Sequence, residues 1–135
     1  MELVCEAKIE WLNGYLDVFC TTLSYFKNES AMRPMSKICL FAIEHREKHS
    51  DFLKISQVQQ ITESCFDWLI NPKTKVATKA YSMRTLYLIG KKEDWIHPEL
   101  TRILSEDAAK HTAAYKAAAK DILKKIEKFN FMQSI

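Results

Sequence analysis

One helical stripe is written three times along this chain. Met32, Ser36, Cys39 and Ile43 recur 44 residues on as Val76, Ala80, Met83 and Tyr87. They recur again, 39 residues further, as Tyr115, Ala119, Ile122 and Ile126. Steps of four, three and four residues keep each set on a single face of an α-helix. The two offsets lie in or near the roughly 40–47-residue period of helical-hairpin repeats, in which each hairpin buries its apolar face only by stacking on its neighbours.

Composition agrees with a helical reading. Only two glycines and three prolines occur in 135 residues, too little turn chemistry for an all-β fold. The length suits one domain, residues 1–135, with a real core, and 47% hydrophobic with 27% charged residues is ordinary for a globular chain. No run approaches the ~18 apolar residues of a membrane span, so no membrane partner is expected. Glu2, Glu6, Lys8 and Glu10 give the N-terminus the wrong charge order for a signal peptide, and a cytoplasmic protein is expected. Cys5, Cys20, Cys39 and Cys65 form no C-x-x-C pair and have apolar neighbours, which predicts buried free thiols.

Six helices follow from periodicity and punctuation. Ile9, Leu12, Leu16, Phe19 and Leu23 define a helix over 9–23, interrupted in propensity by Gly14, and Lys27 to Ser30 is its following loop. Ser30 is the expected N-cap of a helix over 30–49, with Pro34 in its first turn and Arg46, Lys48 and His49 at its negative end. Ser56 and Gln59 read as a capping box for 56–70, which Asn71-Pro72 ends. The helix over 74–89 ends at Gly90, read as a left-handed C-cap. Pro98 opens 97–107, with Glu99 beside its positive end, and Thr112 caps an alanine-rich helix over 112–129, beyond which the chain is expected to fray.

The shorter helices repeat as well: Ile61, Ser64 and Cys65 match Leu100, Ile103 and Leu104 at the same 39-residue offset. The helices pair as 9–23 with 30–49, 56–70 with 74–89, and 97–107 with 112–129. The expected fold is all-α, a right-handed α-α superhelix of three hairpins, with an ordinary up-down bundle as the alternative. Met1 to Cys5 is apolar and uncapped and reads as the tail of an earlier second helix, so an N-terminal repeat that lacks its first part is expected. Leu3 and Val4 then offer a surface for homo-oligomer formation.

Several blocks carry a family resemblance. The runs Ser30 to Cys39, Cys65 to Asn71, Lys79 to Met83, Thr85 to Leu88, Asp94 to Leu100 and Tyr115 to Ile126 resemble a family of small bacterial HEAT-like (armadillo-type) helical-repeat proteins. The resemblance covers nearly the whole chain and implies a HEAT-like solenoid. Members of this family are of uncharacterised function, and some carry the label adenylosuccinate lyase. Enzymes with that activity are large helical tetramers with a mobile Gly/Ser-rich catalytic loop. Gly14 and Gly90 are the sole glycines here, so no such loop is available and the label is unsupported.

Charge points to a surface for binding. Residues 1–70 hold seven Lys/Arg against ten Asp/Glu, whereas residues 71–135 hold thirteen against seven. The repeat register sets Arg33 with Lys116 in one row beside the stripe and Lys37, Tyr81 and Lys120 in the next, with Arg84 adjacent. Second helices line the concave side of HEAT-like solenoids, so these six predict a basic face with an aromatic member, suited to carboxylates or phosphates. A solvated face with local partners, such as Glu29 four residues before Arg33, is the plain alternative.

Other motifs carry less. The tryptophans of HEAT-like DNA glycosylases cluster, whereas Asp67-Trp68 and Asp94-Trp95 stand apart, on or before the first helices of their pairs. His45 and His49 lie one turn apart, but His45-Arg46-Glu47-Lys48-His49 is not H-E-x-x-H and lacks a third ligand, so no metal is expected. His97 before Pro98 reads as a cap or loop contact, and Trp11, Trp68 and Trp95 as packing anchors. No catalytic constellation and no phosphate-binding glycine loop occur, and no cofactor is expected. The sequence therefore predicts a non-catalytic interaction scaffold whose basic face meets a protein or peptide, with nucleic-acid binding as the alternative.

Overall fold

The computed structural model describes residues 16–23, 29–49, 52–107 and 111–134. They form six helices: α1 Leu16–Thr22, α2 Glu29–Lys48, α3 Ile55–Ile70, α4 Val76–Gly90, α5 Ile96–Asp107 and α6 Ala113–Ser134. No strand occurs among the described residues. Expectations for Met1 to Cys5, Ile9 to Gly14 and the first two loop residues, Lys27 and Asn28, lie outside them, including the Leu3 and Val4 surface and the placements of Cys5 and Trp11.

Helix α4 is the centre of the packing. It lies against α2, α3, α5 and α6, while α1 meets α3 and α5 meets α6. The stripe therefore behaves differently in different helices. On the flanking α2 and α6 it is fully buried, from Met32 to Ile43 and from Tyr115 to Ile126. On α4 only Met83 is fully buried, and Val76, Ala80 and Tyr87 are half-buried. The deepest positions of α4 form two rows that meet the stripe only at Met83: Thr78, Ser82, Thr85 and Ile89, and beside them Lys79, Met83, Leu86 and Gly90. A helix with neighbours on several sides must bury more than one face, including polar residues.

That polar seam is largely satisfied by the helix itself. Ser82 Oγ donates to the Thr78 carbonyl at 2.8 Å, and Thr85 Oγ1 to the Tyr81 carbonyl at 2.8 Å. Such bonding to the residue four back removes the cost of a lone buried hydroxyl. Lys79, only 3% exposed, stretches its ammonium to the Leu69 carbonyl in the last turn of α3 at 2.8 Å. Its Nζ also stands 5.9 Å from the centre of the Tyr115 ring, a cation–π placement.

The helix ends depart from the expected punctuation in five places. Helix α2 begins at Glu29, so Ser30 lies within it and not at its cap. Pro34 is then its sixth residue and not in the first turn, and its missing N–H leaves the Ser30 carbonyl without the usual intrahelical donor. Helix α3 begins at Ile55, and Gln57, not Gln59, does the capping: its Oε1 accepts from the Lys54 N–H at 2.9 Å. Helix α5 begins at Ile96, which makes Pro98 its third residue. Helix α6 continues to Ser134 rather than fraying after Phe129.

Gly90 is the fifth. No glycine among the described residues has positive φ, and Gly90 closes α4 in helical conformation. Its missing side chain makes room for the His97 imidazole: a Cβ here would lie 2.6 Å from His97 Nε2 and would overlap Cδ2. The predicted Thr112 cap does form, its Oγ1 accepting from the Tyr115 N–H at 3.3 Å, and α3 ends where Asn71-Pro72 was expected to stop it, with Asn71 Oδ1 accepting from the Lys73 N–H at 2.9 Å in the turn. No helix among the described residues is long and apolar enough to cross a membrane.

Candidate interaction surfaces

The six residues of the predicted basic face sit on three helices that pack in succession. Arg33 and Lys37 are on α2, Tyr81 and Arg84 on α4, and Lys116 and Lys120 on α6, with α4 between the other two. Arg33, Arg84, Lys116 and Lys120 are exposed, and Lys37 and Tyr81 are half-buried. Tyr81 and Arg84 belong to the strip of α4, with Ala77, Ala80 and Leu88, that its four neighbours leave at least partly uncovered. Lys37 Nζ lies 5.9 Å from the Phe41 ring centre. No side-chain hydrogen bond, ion pair or ring contact joins any two of the six among the described residues, and none of the four exposed cations enters an ion pair there.

The histidines have structural places. His97 is 5% exposed, and its Nε2 lies 2.8 Å from the Tyr87 carbonyl in the last turn of α4. A carbonyl only accepts, so Nε2 carries the proton in this contact. The imidazole also stacks on the Tyr87 ring at 5.3 Å and meets the Phe129 ring edge-on at 5.2 Å. The expected loop contact is therefore a side-chain cap on a helix carbonyl. His45 and His49 lie at the end of α2 with ring centres 4.5 Å apart, and His45 meets Phe52 edge-on. Among the described residues no three His, Cys, Asp or Glu side chains group as a metal site.

Cys20, Cys39 and Cys65 are free and buried, as their neighbours predicted. Burial pushes the Cys65 thiol up to about 12, opposed in part by the hydroxyls of Thr85 and Ser82 beside it. Burial also raises Cys39, helped by the nearness of Cys65 and Cys20. Both shifts favour the protonated form of Cys39 and Cys65, and a thiol is a poor nucleophile and a poor metal ligand.

A second surface escaped the sequence reading. The outward side of α3 and the start of α5 enclose a cleft of about 550 Å³. Its apolar lining includes Ile55, Val58, Phe66, Trp95 and Ile96, and its charged groups are Arg46, Glu63, Asp67 and Glu93. A second hollow of about 430 Å³ shares Phe66 and Trp95 and adds Ile70, Glu99, Arg102 and Ile103. Phe66 and Trp95 stack with ring centres 5.6 Å apart at 25°.

Trp95 was expected to be a packing anchor, yet it is 55% exposed, whereas Trp68 is buried. The reason lies in chain position: Trp95 precedes α5, and only one side of its ring is covered, by Phe66 of α3. Arg102 is held between Glu99 and Glu106, so it contributes no free charge. Its hydrogen bond keeps the Glu99 carboxyl below the usual range.

These features define an all-helical protein organised around one central helix, with two surfaces of opposite charge character. No protein-family model, no curated protein and no solved structure matches the chain.

Proposed function

We propose that the chain is a non-catalytic interaction scaffold, a HEAT-like α-α superhelical segment that presents a basic face to an acidic segment of a partner protein. The order of packing supports the superhelical reading: the second helices of the three pairs, α2, α4 and α6, meet in sequence, and the first helices α1 and α3 also meet. The observation that carries the functional reading is the uncovered strip of α4. It bears Tyr81 and Arg84 between two helices on which the exposed cations Arg33, Lys116 and Lys120 enter no ion pair among the described residues. Free guanidinium and ammonium groups flanking a half-buried tyrosine suit carboxylates, which Arg binds bidentately and to which the Tyr hydroxyl donates a hydrogen bond. Buried free thiols suit a reducing compartment such as the cytoplasm.

Charge reversal tests the proposal. Arg33→Glu with Lys37→Glu is expected to abolish recovery of a partner from cell extract while leaving the thermal unfolding curve in place. Unchanged recovery would remove this face from consideration. Nucleic acid is the competing occupant of the same cations, and counterion release gives it a steep loss of affinity with salt. Retention on heparin with a shift of DNA or RNA at low salt would favour that occupant.

A further inference from the structure

The cleft between α3 and α5 differs from the basic face in position and in chemistry. Helix α3 turns one row of residues outward: Ile55, Gln59, Glu63, Phe66 and Ile70, spaced by four, four, three and four. All but Ile70 line the larger hollow, and Ile70 lines the smaller one. The row spans about 22 Å at 1.5 Å per residue. Ile55 and Ile70, at its two ends, are 73% and 56% exposed. With Trp95 they make a line of large apolar side chains facing solvent, an arrangement that marks a contact surface more often than an idle one.

Charge decides what fits. The carboxylates of Glu63, Asp67 and Glu93 have no ion-pair or hydrogen-bond partner among the described residues, and Arg46 is the single cation lining the larger hollow. Three carboxylates repel an anionic lipid surface or a phosphate backbone. A purely apolar occupant would strip water from them without replacing it. A cation carried on an apolar segment satisfies both demands, and the exposed face of Trp95 offers it a cation–π seat.

We propose that this cleft docks an amphipathic helix of a partner protein, about four turns long, with leucine-like anchors on one side and Lys or Arg along its flank. The apolar anchors cover Ile55, Phe66 and Ile70. The flanking cations meet Glu63, Asp67 and Glu93, and one of them stacks on Trp95. This is helix-in-groove recognition with the sign set by the rim. The site does not depend on the basic face, and the molecule then carries two docking surfaces of opposite preference.

The test uses the full chain and two synthetic 18-residue helices with leucines at identical positions, one with Lys and one with Glu elsewhere. The Lys peptide is expected to bind and change the tryptophan emission, and the Glu peptide is not. Trp95→Ala should weaken the Lys peptide by roughly thirtyfold, as loss of a central aromatic anchor does. Glu63→Lys with Asp67→Lys should weaken it at least tenfold. Glu63→Gln with Asp67→Gln, which keeps side-chain size, should give an intermediate loss. Arg84→Glu on the basic face should leave this binding unchanged, which separates failure here from failure there. Equal binding of both peptides, no binding of the Lys peptide, or full retention by Trp95→Ala would each overturn the proposal. Phe131, near the end of α6, is also a large apolar side chain facing solvent, 65% exposed. Concentration-dependent sedimentation of the protein alone that both Trp95→Ala and Phe131→Glu abolish would overturn the proposal too, since the occupant would then be a second copy.

Discussion

Gly90 and His97 occupy one another's space: the imidazole lies where a side chain at position 90 would stand. An alanine in place of a helical glycine ordinarily stabilises by up to about 1 kcal/mol. Here Gly90→Ala is expected to destabilise by about 1–3 kcal/mol, because the new methyl pushes His97 off the Tyr87 carbonyl. His97→Ala removes the obstruction. The double variant should therefore lose less than the sum of the two single losses in urea unfolding, and strict additivity would refute the steric account.

Lys79 joins two helices through a single atom, since its ammonium is bonded to the end of α3 from within α4. Lys79→Met keeps the length of the chain but strands the Leu69 carbonyl in the interior. A loss of about 1–3 kcal/mol is expected from that unpaired group. An unchanged urea midpoint would mean that the carbonyl finds another donor.

The thiols give a prediction in pH. Cys65 has its folded value raised to about 12 from an ordinary 9.0, so the folded state favours the protonated form. The resulting stability is fully present below pH 9 and is lost as pH rises toward about 12, where the unfolded chain has ionised its thiols and the folded chain has not. Alkaline urea titrations should show the midpoint falling across that window, and serine at position 65 should flatten the slope. In native buffer at pH 7.5, Cys39 and Cys65 should resist iodoacetamide until denaturant is added, and rapid native labelling of either would contradict their burial.

Surface charge on the central helix should be separable from stability. Arg84→Glu is expected to shift unfolding by no more than about 0.5 kcal/mol, as exposed substitutions away from caps and cores do. Its effect should appear in capture of an acidic partner. A large loss of stability would place Arg84 in a structural network.

Much of the architecture was legible because the flanking helices obey a one-sided rule. Helices α2 and α6 each bury one stripe, and the 4-3-4 spacing found it. Helix α4 does not obey that rule. Its neighbours on several sides bury Thr78, Lys79, Ser82 and Thr85, residues that polarity alone assigns to solvent. Threonine and serine at 78, 82 and 85 are small, and Ser82 and Thr85 return their hydroxyls to their own backbone, so that recurrence was the available clue. The acidic cleft was missed for a related reason. Helix α3 is apolar on two sides, and Val58, Ile61, Cys65, Trp68 and Leu69 accounted for the core without Ile55, Phe66 or Ile70. Gly90 misled because its partner, His97, lies across a turn whose shape no local pattern encodes.

Central placement of α4 also sets how the molecule comes apart. A row of helices that touch only their nearest neighbours sheds its ends one at a time. Here α2, α3, α5 and α6 all rest on the same segment, and side chains at 79 and 97 tie its two ends to what precedes and follows. Loss of α4 leaves the remaining helices without a shared interior. Opening should therefore be all-or-none, with amide exchange slowest along Ser82 to Ile89, and either binding surface would report on the integrity of the whole.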